Sequence, residues 1–145
     1  MSYKILEDIS IADTAFEATG ENLNELFESA AMAVSSIMVR DLSKVEPKTE
    51  KKISVKLNSG DVASLLHLFL EDLIIETDLN KMIFSKFKAD VNKTDNTCSV
   101  KCLAYGEKID PKRHDLGTAV KAVTLHKFEV KQGKNGWHAF VVLDI

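Results

Sequence analysis

Two long helical patterns separated by a strand pattern constrain this chain more than any other feature. Leu23, Leu26, Phe27, Ala30, Ala31, Val34, Ile37 and Met38 recur at i, i+3, i+4 and i+7 intervals, the spacing that lines up one face of an α-helix. Asn22 precedes this run, with Glu25 placed to complete a capping box, and Gly20 ends the element before it. Val62, Leu65, Leu66, Phe69, Leu70, Leu73 and Ile74 repeat the pattern after Ser59-Gly60-Asp61, where Asp61 is a good cap. Each helix has an apolar face that needs a sheet or another helix to cover it.

Strand patterns fill the rest. Ile53, Val55 and Leu57 alternate with Ser54, Lys56 and Asn58, and Val100, Cys102 and Ala104 with Ser99, Lys101 and Leu103. Residues 82–91 carry Ile83, Phe84, Phe87 and Val91 among lysines, a less regular alternation, and Asp95-Asn96 supplies a turn before the next run. Residues 120–131 and 137–144 read as a final strand pair joined by Gln132-Gly-Lys-Asn-Gly136. Residues 3–6 and 12–19 read as an opening pair, with Thr14, Phe16 and Ala18 on one face. The expected order is β-β-α-β-α-β-β-β-β, an α+β fold with two helices on a mainly antiparallel sheet. With 145 residues, this is one domain spanning 1–145.

Composition removes several classes of function. The formal charge is −3, and only Arg40 and Arg113 among the 19 basic residues are arginines, so a protein that grips nucleic acid by itself is disfavoured. The apolar runs are too short for a membrane span, and Met1–Asp8 lacks the apolar stretch of a signal peptide. A cytoplasmic protein is expected. On one strand, Cys98 and Cys102 would lie ~13 Å apart, too far for a disulfide, and they read as small core residues. No glycine-rich phosphate loop or nucleophile motif is present. His67, His114, His126 and His138 are scattered. His126 and His138 fall on strands expected to pair and could approach one another, a weak metal signal.

One acidic residue is unusual in its setting. Asp144 follows Phe140-Val-Val-Leu143 and precedes Ile145. A carboxylate at the end of so apolar a strand is costly to desolvate unless something pairs with it. The α-carboxylate of Ile145 is expected close by, and a hard cation would relieve the repulsion. Asp13 would join the pair only if its strand lies beside the last one. The plain alternative is that Asp144 marks where the sheet reaches water. Lys121, within Thr118-Ala-Val-Lys-Ala-Val-Thr124, reads by alternation as a solvent-facing residue.

Several blocks together resemble a known family. Ala12-Asp-Thr-Ala-Phe-Glu-Ala-Thr-Gly20 followed by Leu23-Asn-Glu-Leu-Phe-Glu-Ser-Ala-Ala-Met-Ala33 resembles the opening of the archease family. Val62–Leu73, Phe84-Ser-Lys-Phe87, Ala104-Tyr-Gly-Glu-Lys108, Val120-Lys-Ala-Val-Thr-Leu-His126 and Leu143-Asp-Ile145 match further family blocks in order. The resemblance covers essentially the whole chain. It implies a fold of strand–helix–strand–strand modules and a non-enzymatic role. That role is as an accessory protein that promotes guanylylation and multiple turnover of an RtcB-type tRNA-splicing RNA ligase. It also implies a divalent metal site, with Ca²⁺ the expected ion, formed by Asp13, Asp144 and the main-chain oxygen of Ile145. Lys121 is then implicated in ligase activation. The segment Asp8-Ile-Ser-Ile-Ala-Asp13 is one residue longer than the usual family pattern and lacks its His and Gly, which leaves Asp8 as a further candidate ligand. Two rival functions stand beside this one: a chaperone or modulator of RNA-modifying enzymes such as a tRNA methyltransferase, and a small-molecule-binding module.

Overall fold

A computed structural model describes residues 1–10 and 12–145, including all of their side chains except those of 7–10. In chain order the elements are β1 (Ser2–Ser10), β2 (Asp13–Gly20), α1 (Leu23–Met38), a 3-10 turn (Leu42–Lys44), β3 (Thr49–Leu57), α2 (Val62–Asn80), β4 (Met82–Lys93), β5 (Cys98–Lys108), β6 (Ala122–Val123), β7 (Glu129–Gly133) and β8 (Gly136–Asp144).

The caps form as the sequence requires. The Glu25 N–H donates to Asn22 Oδ1 at 2.9 Å, and Asp61 Oδ1 accepts from the N–H groups of Ala63 and Ser64. Helix α2 stops at Lys81, which takes the left-handed conformation with φ 53°.

The α+β fold with antiparallel strands forms as expected, its strands divided between two sheets, and every pairing among the described residues is antiparallel. One runs β1-β2-β8-β6 with β7 also paired to β8, and the other runs β3-β5-β4. The second sheet with α2 forms a strand–helix–strand–strand module. The helices join the two sheets into one core, where Phe27 and Phe69 meet with ring centroids 5.5 Å apart. Helix α1 also closes an open sheet edge: Glu28 Oε2 accepts from the Ala89 N–H and Asn24 Oδ1 from the Val91 N–H, at 2.8 and 2.7 Å. Cys98 and Cys102 are free and buried, as expected. No helix among the described residues is long and apolar enough to cross a membrane.

Two departures from the expected strands have local causes. The irregular alternation in 82–91 reflects a bulge between Phe84 and Lys86. Phe84 and Phe87 are both buried across it, because the extra residue shifts the parity of the strand. Gly106 lies opposite Phe84, where an added Cβ would meet the Ile83 carbonyl oxygen at 1.9 Å, so only glycine fits beneath the bulge. Residues 120–131 are not one strand. Ala122 pairs with Asp144 and Glu129 with Phe140, and the register slips between these pairings, so the segment 124–128 leaves the sheet. Lys127 turns it with φ 54°. This excursion removes His126 from the sheet, and His138 instead lies opposite Lys131, so the two histidines do not pair.

Candidate metal centre

Strand β8 runs between β2 and β6, and this position assembles the acidic residues. Thr14, Phe16 and Ala18 of β2, with Ala139, Val141 and Leu143 of β8, are buried, and their parity fixes Asp13 and Asp144 on the other face. The register places Asp13 directly opposite Asp144. Directly opposite residues in an antiparallel pair hold their Cβ atoms ~4.5–5.5 Å apart on one face, and like charges there are destabilising. Ala15 and Val142, opposite one another on the same face, are buried as well, and both aspartates are half-buried. The register therefore sets the two aspartates opposite one another on a face whose next pair is apolar and buried.

The backbone around the pair is pinned. The Ile145 N–H donates to the Ala12 carbonyl at 2.8 Å, carrying the ladder one step past the aspartates. The Lys121 N–H donates to the main-chain oxygen of Asp144 at 2.8 Å, and the Thr124 N–H to that of Val142 at 3.0 Å. From the helix side, Glu71 Oε1 accepts from the Val123 N–H, and the Val123 carbonyl lies 2.8 Å from His67 Nε2. A carbonyl only accepts, so His67 carries its hydrogen on Nε2. His67 is thus a brace for β6, with its ring edge-on to Phe128.

Of the sequence candidates, Asp13, Asp144 and Ile145 come together at one strand end, and Lys121 meets them through its main chain while its side chain is exposed. The Asp8 side chain lies outside the described residues. Among the described residues no cluster of three or more His, Cys, Asp or Glu forms. The donor set at this strand end is oxygen only: two carboxylates and a main-chain carbonyl. It fits a hard divalent ion such as Ca²⁺ or Mg²⁺ and does not fit zinc.

A second polar cluster escaped the sequence reading. Glu107, 4% exposed, accepts from Arg113 Nη2, from the Glu46 N–H at 2.6 Å and from His114 Nε2 at 3.1 Å. Arg113 above all, and then the other donors, hold the Glu107 carboxyl down to about 2 against the opposing effect of burial. His114 is buried, and its Nδ1 accepts from the Asp110 N–H at 3.0 Å. This cluster anchors the loop that returns to β6 as Lys121. The loop is also docked on the end of α1, where the Gly117 N–H donates to the Met38 carbonyl at 2.8 Å. No sequence signal marked Glu107, because it falls on the outward parity of a strand whose other parity forms the core.

Two antiparallel sheets joined by two helices, with a carboxylate pair at one strand end, define a small α+β protein with a candidate hard-cation site. The model of the Archease protein family matches residues 3–145. Relatives named Protein archease include one from Sulfurisphaera tokodaii, 40% identical over 92% of this chain and 93% of its own length. Another, from Methanosarcina mazei, is 38% identical over 99% and 95%. The fold is similar to the solution structure of a Methanobacterium thermoautotrophicum protein, with TM-score 0.84, 34% identity, and coverage of 99% of this chain and 98% of that one. A Thermotoga maritima crystal structure, described as an archease and possible chaperone, shares the fold at TM-score 0.59 and 18% identity, with 98% of each chain covered. The chain belongs to the archease family.

Proposed function

We propose that this chain is a cytoplasmic accessory protein that activates an RtcB-type tRNA-splicing RNA ligase, promoting its guanylylation and multiple turnover without being the catalyst. The observation that carries this reading is the Asp13–Asp144 pairing at the end of β8 in a member of the archease family. The two carboxylates and the Ile145 main-chain oxygen would hold a divalent ion, with Ca²⁺ the expected one. Such an ion takes about 6–8 oxygen ligands, so positions remain for water or for phosphate oxygens brought by the partner. When bound, it would supply positive charge against a nucleotide phosphate. The chain's own residues then have distinct tasks. Asp13 and Asp144 provide a rigid acidic pair, because β8 is flanked by β2 on one side and β6 on the other. Lys121, whose N–H bonds the Asp144 main-chain oxygen, offers an exposed ammonium at the same end of the sheet for an acidic or phosphate group.

Ligase turnover measured with and without this protein tests the reading. Stimulation of multiple turnover is expected, and none at any ratio would sink it. A second reading, a chaperone or modulator of an RNA-modifying enzyme such as a tRNA methyltransferase, is favoured by the exposed Leu68, Ile75 and Leu79 on α2. That role would survive the loss of Asp144.

A further inference from the structure

Helix α2 is apolar on two sides, and only one of them is covered. Leu66, Phe69, Leu70 and Leu73 lie in the core. On the other side Leu68, Ile75 and Leu79 are 40%, 49% and 75% exposed, at the spacing that aligns side chains along a helix. Leu68 also borders a concavity of about 400 Å³, lined further by Leu125 and Phe128, where Leu125 is 74% exposed. Exposed apolar residues grouped in this way, rather than scattered, mark an interaction surface.

The charge beside the row selects its occupant. Glu71, Asp72, Glu76 and Asp78 lie on the same helix, and between Val62 and Asn80 there is no lysine or arginine. Asp72 sits within the row, and burial with the nearby Glu76 holds its carboxyl above the usual range, a carboxylate short of positive neighbours. A second copy of the chain would bring the same acidic residues against these, and an anionic lipid surface would be repelled as well. We propose that this face docks a basic amphipathic helix of a partner protein, its apolar row seated on Leu68, Ile75 and Leu79 and its lysines or arginines set against Glu71, Asp72, Glu76 and Asp78. The inference goes beyond the ligase reading and does not depend on it.

A fluorescein-labelled synthetic helix of about five turns, with leucines at i, i+3, i+4 and i+7 and lysine and arginine flanks, is the probe. It is titrated by anisotropy against the full chain. Saturable binding is expected, falling as salt rises and weakened roughly tenfold or more by Ile75→Lys or by Leu79→Lys. Both positions are exposed, so both variants should fold, which circular dichroism checks. The same leucine row with glutamate flanks should not bind. Equal binding of the two peptides, binding indifferent to both substitutions, or no binding of the basic peptide overturns the proposal. A wild-type dimer in sedimentation that Ile75→Lys disperses also overturns it, because the face would then serve a second copy.

Discussion

Asp13 faces Asp144 directly across β2 and β8, and the next main-chain bond, Ile145 N–H to the Ala12 carbonyl, closes the ladder just beyond them at 2.8 Å. Strand register rather than loop geometry therefore sets the separation of the two carboxylates. A slip of one residue would send one of them to the opposite face.

That pairing has a thermodynamic signature in the absence of divalent ions. Like charges directly opposite on a sheet destabilise by ~0.2–1 kcal/mol. Asp144→Asn removes one of them with almost no change of volume. In excess chelator the variant should melt about 1–3 °C above the parent, whereas in Ca²⁺ the parent should gain more than the variant. Scanning calorimetry in both buffers checks the crossover. A variant less stable than the parent in chelator would show that the two carboxylates do not repel strongly enough to matter there.

Lys121→Ala should lower ligase stimulation while leaving Ca²⁺ affinity near the parent value, since a charged ammonium has no lone pair to give a metal. Turnover assays beside calorimetric titration separate the two effects. Lost affinity with intact stimulation would reverse the role given to Lys121.

Much of this site could be read before the fold was known. The alternation Thr14-x-Phe16-x-Ala18 fixes the face of Asp13, and Ala139-x-Val141-x-Leu143 fixes that of Asp144. What alternation cannot supply is which strands are neighbours, so the pairing of these two aspartates waited on the topology. The caps at Asn22 and Asp61 were legible because capping is local. The break between β6 and β7 was not, because Val123 and Glu129 are both held by β8, a partner distant in sequence, and the excursion between them follows no local period. The Glu107 cluster was hidden because Glu107 has the outward parity of β5, and its donors come from an irregular loop after β5 and from the segment before β3, which follow no local period.

Glu107 gives the protein an acid-sensitive joint. Its folded carboxyl is held down to about 2, below the ~4.3 of an unfolded glutamate. A depressed folded value means that its stabilisation is present above the unfolded value and is lost as pH falls from there toward the folded one. Glu107→Gln should therefore be less stable than the parent at about pH 7 and lose less between about pH 5 and pH 3. Glu107→Ala, which leaves the Glu46 N–H and His114 Nε2 without their acceptor, should cost on the order of 3 kcal/mol. Denaturant melts across this pH range test both, and parallel pH profiles for parent and Gln variant would contradict the assignment.

The far end of β8 provides a control. Gly136 has φ +127°, and an added Cβ would lie 2.3 Å from the Gly20 carbonyl oxygen. Gly136→Ala should lower the melting temperature by several degrees, given a strain above about 1 kcal/mol. It sits at the opposite end of β8 from Asp144, so Ca²⁺ affinity in the folded variant should be unchanged. Isothermal titration below the melting transition checks this, and a weakened affinity would mean that strain at the hairpin reaches the acidic end.

The most direct test of the carboxylate pair is calorimetric titration of Ca²⁺ into the parent, Asp13→Asn and Asp144→Asn, each first shown to be folded. Each substitution replaces a charged carboxylate by a neutral amide and removes no core volume. The expected result is saturable binding by the parent and at least tenfold weaker binding, on the order of 1.4 kcal/mol, by each variant. Parent-like affinity in either variant would contradict the site and leave that aspartate as no more than the polar end of a strand.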